Sequence, residues 1–205
     1  MSRILVTYAT MAGSTAEVAQ VVGEELANCG YQVDILPLRE VKALQPYEAV
    51  VVGGPVIMGW HRDALGFLKK HREEFKRIPL AVFVLAMSLT RTGEMSLDGV
   101  PVRVDEDLPK PPKEAGRLTF RERYAELSRY LQPIVQATRP VKPASVGVFD
   151  GRLEYGRLKW WAVLFAMVVI QAPAGERRNW PVIRSWATGL PAAFRLEKKK
   201  IVEVG

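Results

Sequence analysis

The stretch Ile4-Leu5-Val6-Thr7-Tyr8-Ala9-Thr10-Met11-Ala12-Gly13-Ser14-Thr15 decides how the rest of the chain is read. Ile4, Leu5 and Val6 form a short apolar run, the composition of an inner strand in a parallel sheet covered on both faces. Thr10, Met11, Ala12, Gly13, Ser14 and Thr15 then combine hydroxyl side chains with small residues, and a helical pattern starts directly after them. The first backbone N–H groups of a helix have no partner inside it, and the aligned peptide dipoles add partial positive charge there, so the loop suits an anion. Gly13 allows close approach of the backbone, Thr10, Ser14 and Thr15 offer hydroxyl donors, and the lysine of a nucleoside-triphosphate loop is missing. A monophosphate is therefore favoured over a triphosphate. The same residues also suit an ordinary helix cap, and the loop alone leaves both readings open. The dinucleotide fingerprint GxGxxG is absent.

The chain has 205 residues, of which 48% are hydrophobic, enough for a sizeable core and for one large domain spanning residues 1–205. A single cysteine, Cys29, excludes an internal disulfide framework and a Cys-rich metal centre, so no metal is expected and a reducing compartment is the simpler setting. The apolar residues at the start amount to a strand and do not follow a basic segment as in a secretion signal, which predicts a cytoplasmic protein. A net charge of +7 points to anionic partners: nucleic acid, a lipid headgroup surface or an acidic small molecule. The basic tail, 195–205, lacks interleaved aromatics and reads as a solvated end, so nucleic acid is not expected.

Downstream, strand and helix patterns alternate. Val18, Val21, Val22 and Leu26 fall at helical spacing before Gly30; Val33, Ile35 and Leu38 mark a second strand, and Ala49 to Gly53 a third. Leu65, Leu68 and Phe75 mark a helix from about Asp63, Leu80 to Met87 a fourth strand, Arg121 to Thr138 one helix, and Val146 to Phe149 a fifth strand. The rhythm predicts an α/β fold with a five-stranded parallel sheet in the order 2-1-3-4-5 and helices on both faces. Ligands of such sheets sit beyond the carboxyl ends of the strands, so the loops after strands one, three and four should converge. Asn179 is a candidate cap for a last helix whose Ile183, Trp186, Ala187 and Leu190 face the sheet. The stretch from Ser88 to Thr119, with Pro101, Pro109, Pro111 and Pro112, is too long for a connector and reads as a mobile or functional loop.

The pattern Thr10-x-x-Gly13-x-Thr15 after a first strand resembles the phosphate loop of flavodoxin-like proteins. The resemblance implies a flavodoxin-like fold and FMN as cofactor, its phosphate on Thr10, Met11, Ala12, Gly13, Ser14 and Thr15. The ring would lie between Pro55, Val56, Ile57, Met58, Gly59 and Trp60 in the loop after strand three and Met87, Ser88, Leu89 and Thr90 after strand four. Met58 or Trp60 would cover its face, while His61 reads as a flavin contact, a solvated loop residue or a helix cap. Flavodoxins usually carry an aromatic where this chain has Met58, and often a tyrosine in the second loop, where this chain has none. Both departures imply a more open ring face, which suits an enzyme better than a plain electron carrier.

Residues 152–178 are an insertion before the last helix. Its core, Trp160 to Ile170, is a continuous apolar run about half as long as a membrane span, flanked by Arg152, Arg157, Lys159, Arg177 and Arg178. The tryptophan pair Trp160 and Trp161 suits an interface, and the cations suit anionic headgroups or the carboxylates of a substrate. A buried hairpin or a homo-oligomer contact explains the same run equally well. Taken with Phe67-Leu68-Lys69-Lys70-His71 and Trp180, the segment from Gly151-Arg152-Leu153 to Trp160 is similar to the menaquinone-dependent protoporphyrinogen oxidase family. That family implies FMN, peripheral attachment to the inner face of the cell membrane, and passage of electrons from a porphyrinogen to a quinone in heme biosynthesis. The long 88–119 loop and Met58 depart from it and leave the substrate open. The expectation is an FMN-dependent oxidoreductase joining a small organic donor to a quinone, with a flavodoxin-type carrier or substrate-free FMN-binding domain as the alternative. No catalytic acid or base is identified.

Overall fold

The computed structural model describes residues 2–56, 59–91, 96–97, 99–114, 116–153 and 175–196. β1 (Arg3–Tyr8) is followed by α1 (Ser14–Asn28), β2 (Gln32–Pro37), β3 (Ala49–Pro55), α2 (Arg62–Lys70) and β4 (Leu80–Ala86). Then come β5 (Leu89–Thr90), β6 (Ser96–Leu97), β7 (Val100–Val104), β8 (Pro109–Lys110), α3 (Phe120–Tyr124) and α4 (Leu127–Thr138). The chain ends its described part with β9 (Ser145–Asp150), β10 (Arg152–Leu153), β11 (Gly175–Glu176) and α5 (Trp180–Ala193).

The main sheet runs β2-β1-β3-β4-β9-β7-β6. Its first five strands keep the expected 2-1-3-4-5 order, all parallel, with β9 as the fifth. The sheet is wider than the expected five strands, because the stretch read as a loop supplies two more. β7 pairs parallel with β9 through Val102↔Val146 and Val104↔Val148, and β6 turns back antiparallel on β7. In β7, Val100 and Val104 are buried while Pro101 and Arg103 are exposed, the alternation of a strand with one wet face. Pro101, which looks like a strand breaker in sequence, is tolerated this close to the sheet edge.

The single helix expected from Arg121 to Thr138 is two. Glu122 closes a capping box with Thr119 at the start of α3. Thr90 of β5 then takes up the far end: its N–H donates to the Ala125 carbonyl at 2.8 Å and its hydroxyl to the Glu122 carbonyl at 2.7 Å. Those carbonyls would otherwise accept from the next turn of a continuous helix. α2 is likewise shorter than expected, and Phe75 enters the core from a separate 3₁₀ turn, Glu74–Lys76.

Strand alternation divides the core between the faces. Leu5, Val50, Val52, Val82 and Val84 pack under α2 and α4, while Ile4, Val6, Val51 and Phe83 pack under α1 and α5. β4 is buried on both faces along its whole length, as its unbroken apolar sequence requires. Opposite it, Gly53 faces Phe83, whose ring would lie 2.0 Å from a Cβ at that position. α5 begins as expected: the Asn179 side chain accepts from Val182 N–H, and Ile183, Trp186, Ala187 and Leu190 are buried. Trp186 meets Phe83 and Phe149 edge to face at 6.3 and 5.5 Å. Among the described residues, no helix is long and apolar enough to cross a membrane.

Candidate cofactor site

At the start of α1, Gly13 occupies the N-cap position with φ +93° and no side chain caps the helix. The ordinary-cap reading of this loop is therefore not what forms. Thr10 shapes the turn instead, its Oγ1 accepting from Gly13 N–H at 2.9 Å, while the Gly13 carbonyl receives Ala16 and Glu17 N–H. Positive φ is accessible to glycine at little cost. Thr15 is 1% exposed, yet its Oγ1 has no hydrogen-bond partner among the described residues. A buried unpaired hydroxyl costs about 1–3 kcal/mol. An anion at an uncapped helix start beside such a hydroxyl recovers that cost and meets the helix dipole. These residues fit a singly phosphorylated group.

The three predicted loops converge. Met11, Ala12, Ser14 and Thr15 form one side of a cleft, Pro55 and Val56 at the end of β3 another, and Leu85 and Met87 after β4 a third. A fourth contribution was not foreseen at this position: Gly151 and Arg152, just past β9, line the same cleft. Arg152, expected at a membrane or substrate, stands beside the loop that opens α1.

The other predicted residues are distributed as follows. Pro55, expected in the loop, closes β3 in register with Leu85. Ile57 and Met58 lie outside the described residues. Gly59 has φ +105° and lines a hollow with residues of α3 and α4. Trp60 is 3% exposed and its Nε1–H donates to the Gly54 carbonyl at 3.0 Å, so its indole is built into the core under α2. His61 caps α2, its Nδ1 accepting from Asp63 N–H. The Ser88 carbonyl accepts from the Tyr130 hydroxyl at 2.8 Å, and Leu89 and Thr90 are buried, bracing the second loop from behind.

The ends of the insertion are drawn inward. β10 and β11 pair antiparallel, Arg152 opposite Glu176. Arg152 lies 3.5 Å from the Glu17 carboxylate, in the first turn of α1. Arg178, its side chain 1% exposed, bonds the same Glu17 at 2.8 Å, Glu176, and the Ser14 carbonyl at 3.3 Å, and lies 4.4 Å over the Trp180 ring. Arg177 pairs with Asp150 at 2.8 Å. Arg177 and Arg178, expected to meet anionic headgroups, are thus occupied by carboxylates that sequence spacing could not reveal. Arg157, Lys159, Trp160 and Trp161 lie outside the described residues. Burial pushes the Asp150 carboxyl above its ordinary value against the pull of Arg177. The Arg178 hydrogen bond holds Glu176 below its own.

The flavodoxin domain family matches residues 5–177, and the chain belongs to that family. Among curated relatives, protoporphyrinogen IX dehydrogenase (quinone) of Escherichia coli is 21% identical over 177 residues, covering 85% of this chain and 82% of that protein. Among solved structures, two-electron reduced Megasphaera elsdenii flavodoxin aligns with a TM-score of 0.50 at 9% identity, over 94% of this chain and 98% of that one. The Flv1 flavodiiron core of Synechocystis aligns with a TM-score of 0.52 at 10% identity, over 95% of this chain and 36% of that one. This chain thus corresponds to little more than a third of that flavodiiron core. FMN is the cofactor of this family, and the uncapped α1 start with its unpaired Thr15 hydroxyl suits its phosphate.

Proposed function

We propose that this protein is an FMN-dependent oxidoreductase that passes electrons from a small organic donor to a quinone, with protoporphyrinogen IX as the candidate donor. The observation that carries the reading is the cleft past β1, β3, β4 and β9, one end of which is an uncapped helix start with a buried, unpaired hydroxyl. The name of the Escherichia coli relative supports the donor and acceptor, and a net charge of +7 suits an acidic donor.

In this reading the amides of Ser14 and Thr15 and the Thr15 hydroxyl hold the FMN phosphate, and Thr10 keeps the loop in shape. Pro55, Val56, Met87 and Gly151 form the walls beside it. Bound FMN supplies the capacity to take up and release two electrons. The chain's part is to hold it, to exclude water along the apolar walls, and to leave a side open for donor and acceptor. Arg152, half-buried, lines the same cleft and is held toward Glu17 in the first turn of α1. Contact with an anionic membrane surface through Arg157, Lys159, Trp160 and Trp161 would bring the cleft to a lipid-dissolved quinone.

The test is anaerobic mixing of FMN-loaded protein with protoporphyrinogen IX and then with a menaquinone analogue. The flavin absorbance near the visible maximum should bleach with the first and return with the second. A reduced protein that the quinone does not reoxidise would remove the enzyme reading and leave a flavodoxin-type carrier. Replacing Trp160 and Trp161 by alanine should abolish flotation with anionic vesicles; unchanged flotation would remove the membrane contact.

A further inference from the structure

We propose that the hollow enclosed by Gly59, α3 and the start of α4 is a separate binding site for a ring-bearing organic carboxylate, beside the cofactor cleft. It is lined by Gly59, Phe120, Arg123, Tyr124, Arg129 and Tyr130 and encloses about 290 Å³. That it serves as the donor site rests on the oxidoreductase reading above; that it binds such a ligand does not.

Its position is set by the two loops that frame the cofactor cleft. Gly59 follows Pro55 and Val56, which line that cleft, and Tyr130 is tied to Ser88, the residue after cleft-lining Met87. The hollow thus adjoins the loops that frame the cofactor cleft and shares none of its lining residues.

The chemistry of the walls is mixed in an informative way. Phe120 is 79% exposed, the large hydrophobic side chain left most open among the described residues. An exposed phenyl ring beside two tyrosines offers flat apolar surface. Arg123 and Arg129 are exposed and their guanidinium groups make no ion pair or hydrogen bond among the described residues. This sets them apart from Arg177 and Arg178, whose groups are occupied. Glu122, the nearest acid along α3, does not neutralise them: its carboxylate accepts from the Lys113 and Thr119 backbone and from the Thr119 hydroxyl. The Tyr124 hydroxyl lies buried by the Gly59 amide and has no hydrogen-bond partner among the described residues. Burial raises its pKa, so it stays protonated and can donate.

Two unpaired guanidinium groups recognise carboxylates through paired N–H donors, and they stack on aromatic faces. A neutral quinone has no anionic group with which to form the charged pair. The combination selects a ligand with an apolar ring body and acidic side groups.

The experiment titrates FMN-loaded protein with protoporphyrin IX, a ring dicarboxylate, and with its uncharged dimethyl ester, following porphyrin fluorescence. The acid should bind at least about tenfold tighter than the ester, the effect of one charge-assisted hydrogen bond or more. The double variant Arg123→Gln, Arg129→Gln should bring the acid down to the level of the ester while leaving FMN affinity and the thermal midpoint unchanged. Phe120→Ala should weaken acid and ester alike. Equal binding of acid and ester, or wild-type binding by the double variant, overturns the site. So does loss of anionic-vesicle flotation in the double variant with porphyrin binding intact, which would assign the arginines to a lipid surface. If acid-selective binding depends on these arginines but the quinone test above fails, the site stands and the oxidoreductase reading falls.

Discussion

The two sides of the cofactor region are built on different principles. The proposed phosphate side is a run of six consecutive residues, Thr10 to Thr15, whose working groups are mostly backbone: an αL glycine, an uncapped helix start, and one buried hydroxyl. Arg178 braces it from behind by bonding the Ser14 carbonyl and Glu17. The hollow under α3 and α4 draws on residues 59 and 120 to 130, is made of side chains, and leaves Phe120, Arg123 and Arg129 exposed. Backbone geometry fixes what one side accepts, while the other is tuned by replaceable side chains. Substitutions at the first should change how much cofactor is bound, and substitutions at the second should change which ligand is preferred.

The largest effect is expected from Gly13→Val. A β-branched residue at φ +93° carries about 1–3 kcal/mol of strain, and relief of that strain would reshape the loop. FMN affinity, read from flavin fluorescence quenching, should fall about ten- to a hundredfold, with porphyrin binding in the hollow largely retained. Equal loss at both sites would break the distinction between them.

Arg178→Ala comes next. Glu17 and Glu176 are 43% and 45% exposed and rehydrate when their partner is lost. The cost is therefore about 1–3 kcal/mol, below that of a fully buried pair. The thermal midpoint should fall by about 2–4 °C per kcal/mol for a domain of this size. FMN affinity should weaken severalfold through the lost Ser14 contact. The acid limb supplies an independent check. Glu176 is held below its ordinary value of 4.5 by Arg178. A depressed carboxyl stabilises the fold fully above the ordinary value and loses that contribution as pH falls through the lower folded value. Wild type should therefore lose thermal stability more steeply than Arg178→Ala between about pH 5 and pH 3. Parallel acid limbs would contradict the pairing.

The smallest effect is expected from Trp60→Phe, which leaves the Gly54 carbonyl without its donor. Stability should fall by about 1–3 kcal/mol in a denaturant melt. FMN affinity should be nearly unchanged, because the indole belongs to the core. A marked loss of FMN with little loss of stability would return Trp60 to the ring's wall.

Legibility in the sequence followed locality. The 2-1-3-4-5 order was readable because buried parallel strands are continuous apolar runs and α1 and α5 carry periodic faces. The strand-to-helix turn from Thr10 to Thr15 was readable because its parts are adjacent. β7 was not, since Val-Pro-Val-Arg-Val mixes strand alternation with a proline and lies among other prolines. The break between α3 and α4 was hidden too, because what ends α3 is Thr90, about thirty residues away. Glu17 met by Arg152 and Arg178 depends on the β10–β11 pairing, which no short-range pattern encodes. The hollow beside Gly59 has the same origin: its aromatics and arginines are distant in sequence from the loop they face.

The most direct test is Thr15→Val, measured both for thermal stability without cofactor and for FMN affinity. The replacement keeps the shape and removes a buried hydroxyl that has no partner among the described residues. The FMN-free protein should be as stable as wild type or more so, while FMN affinity falls by about tenfold or more, the worth of a hydrogen bond to a charged group. Unchanged FMN affinity together with lowered stability would show that the hydroxyl serves the fold, and would contradict a phosphate at the start of α1.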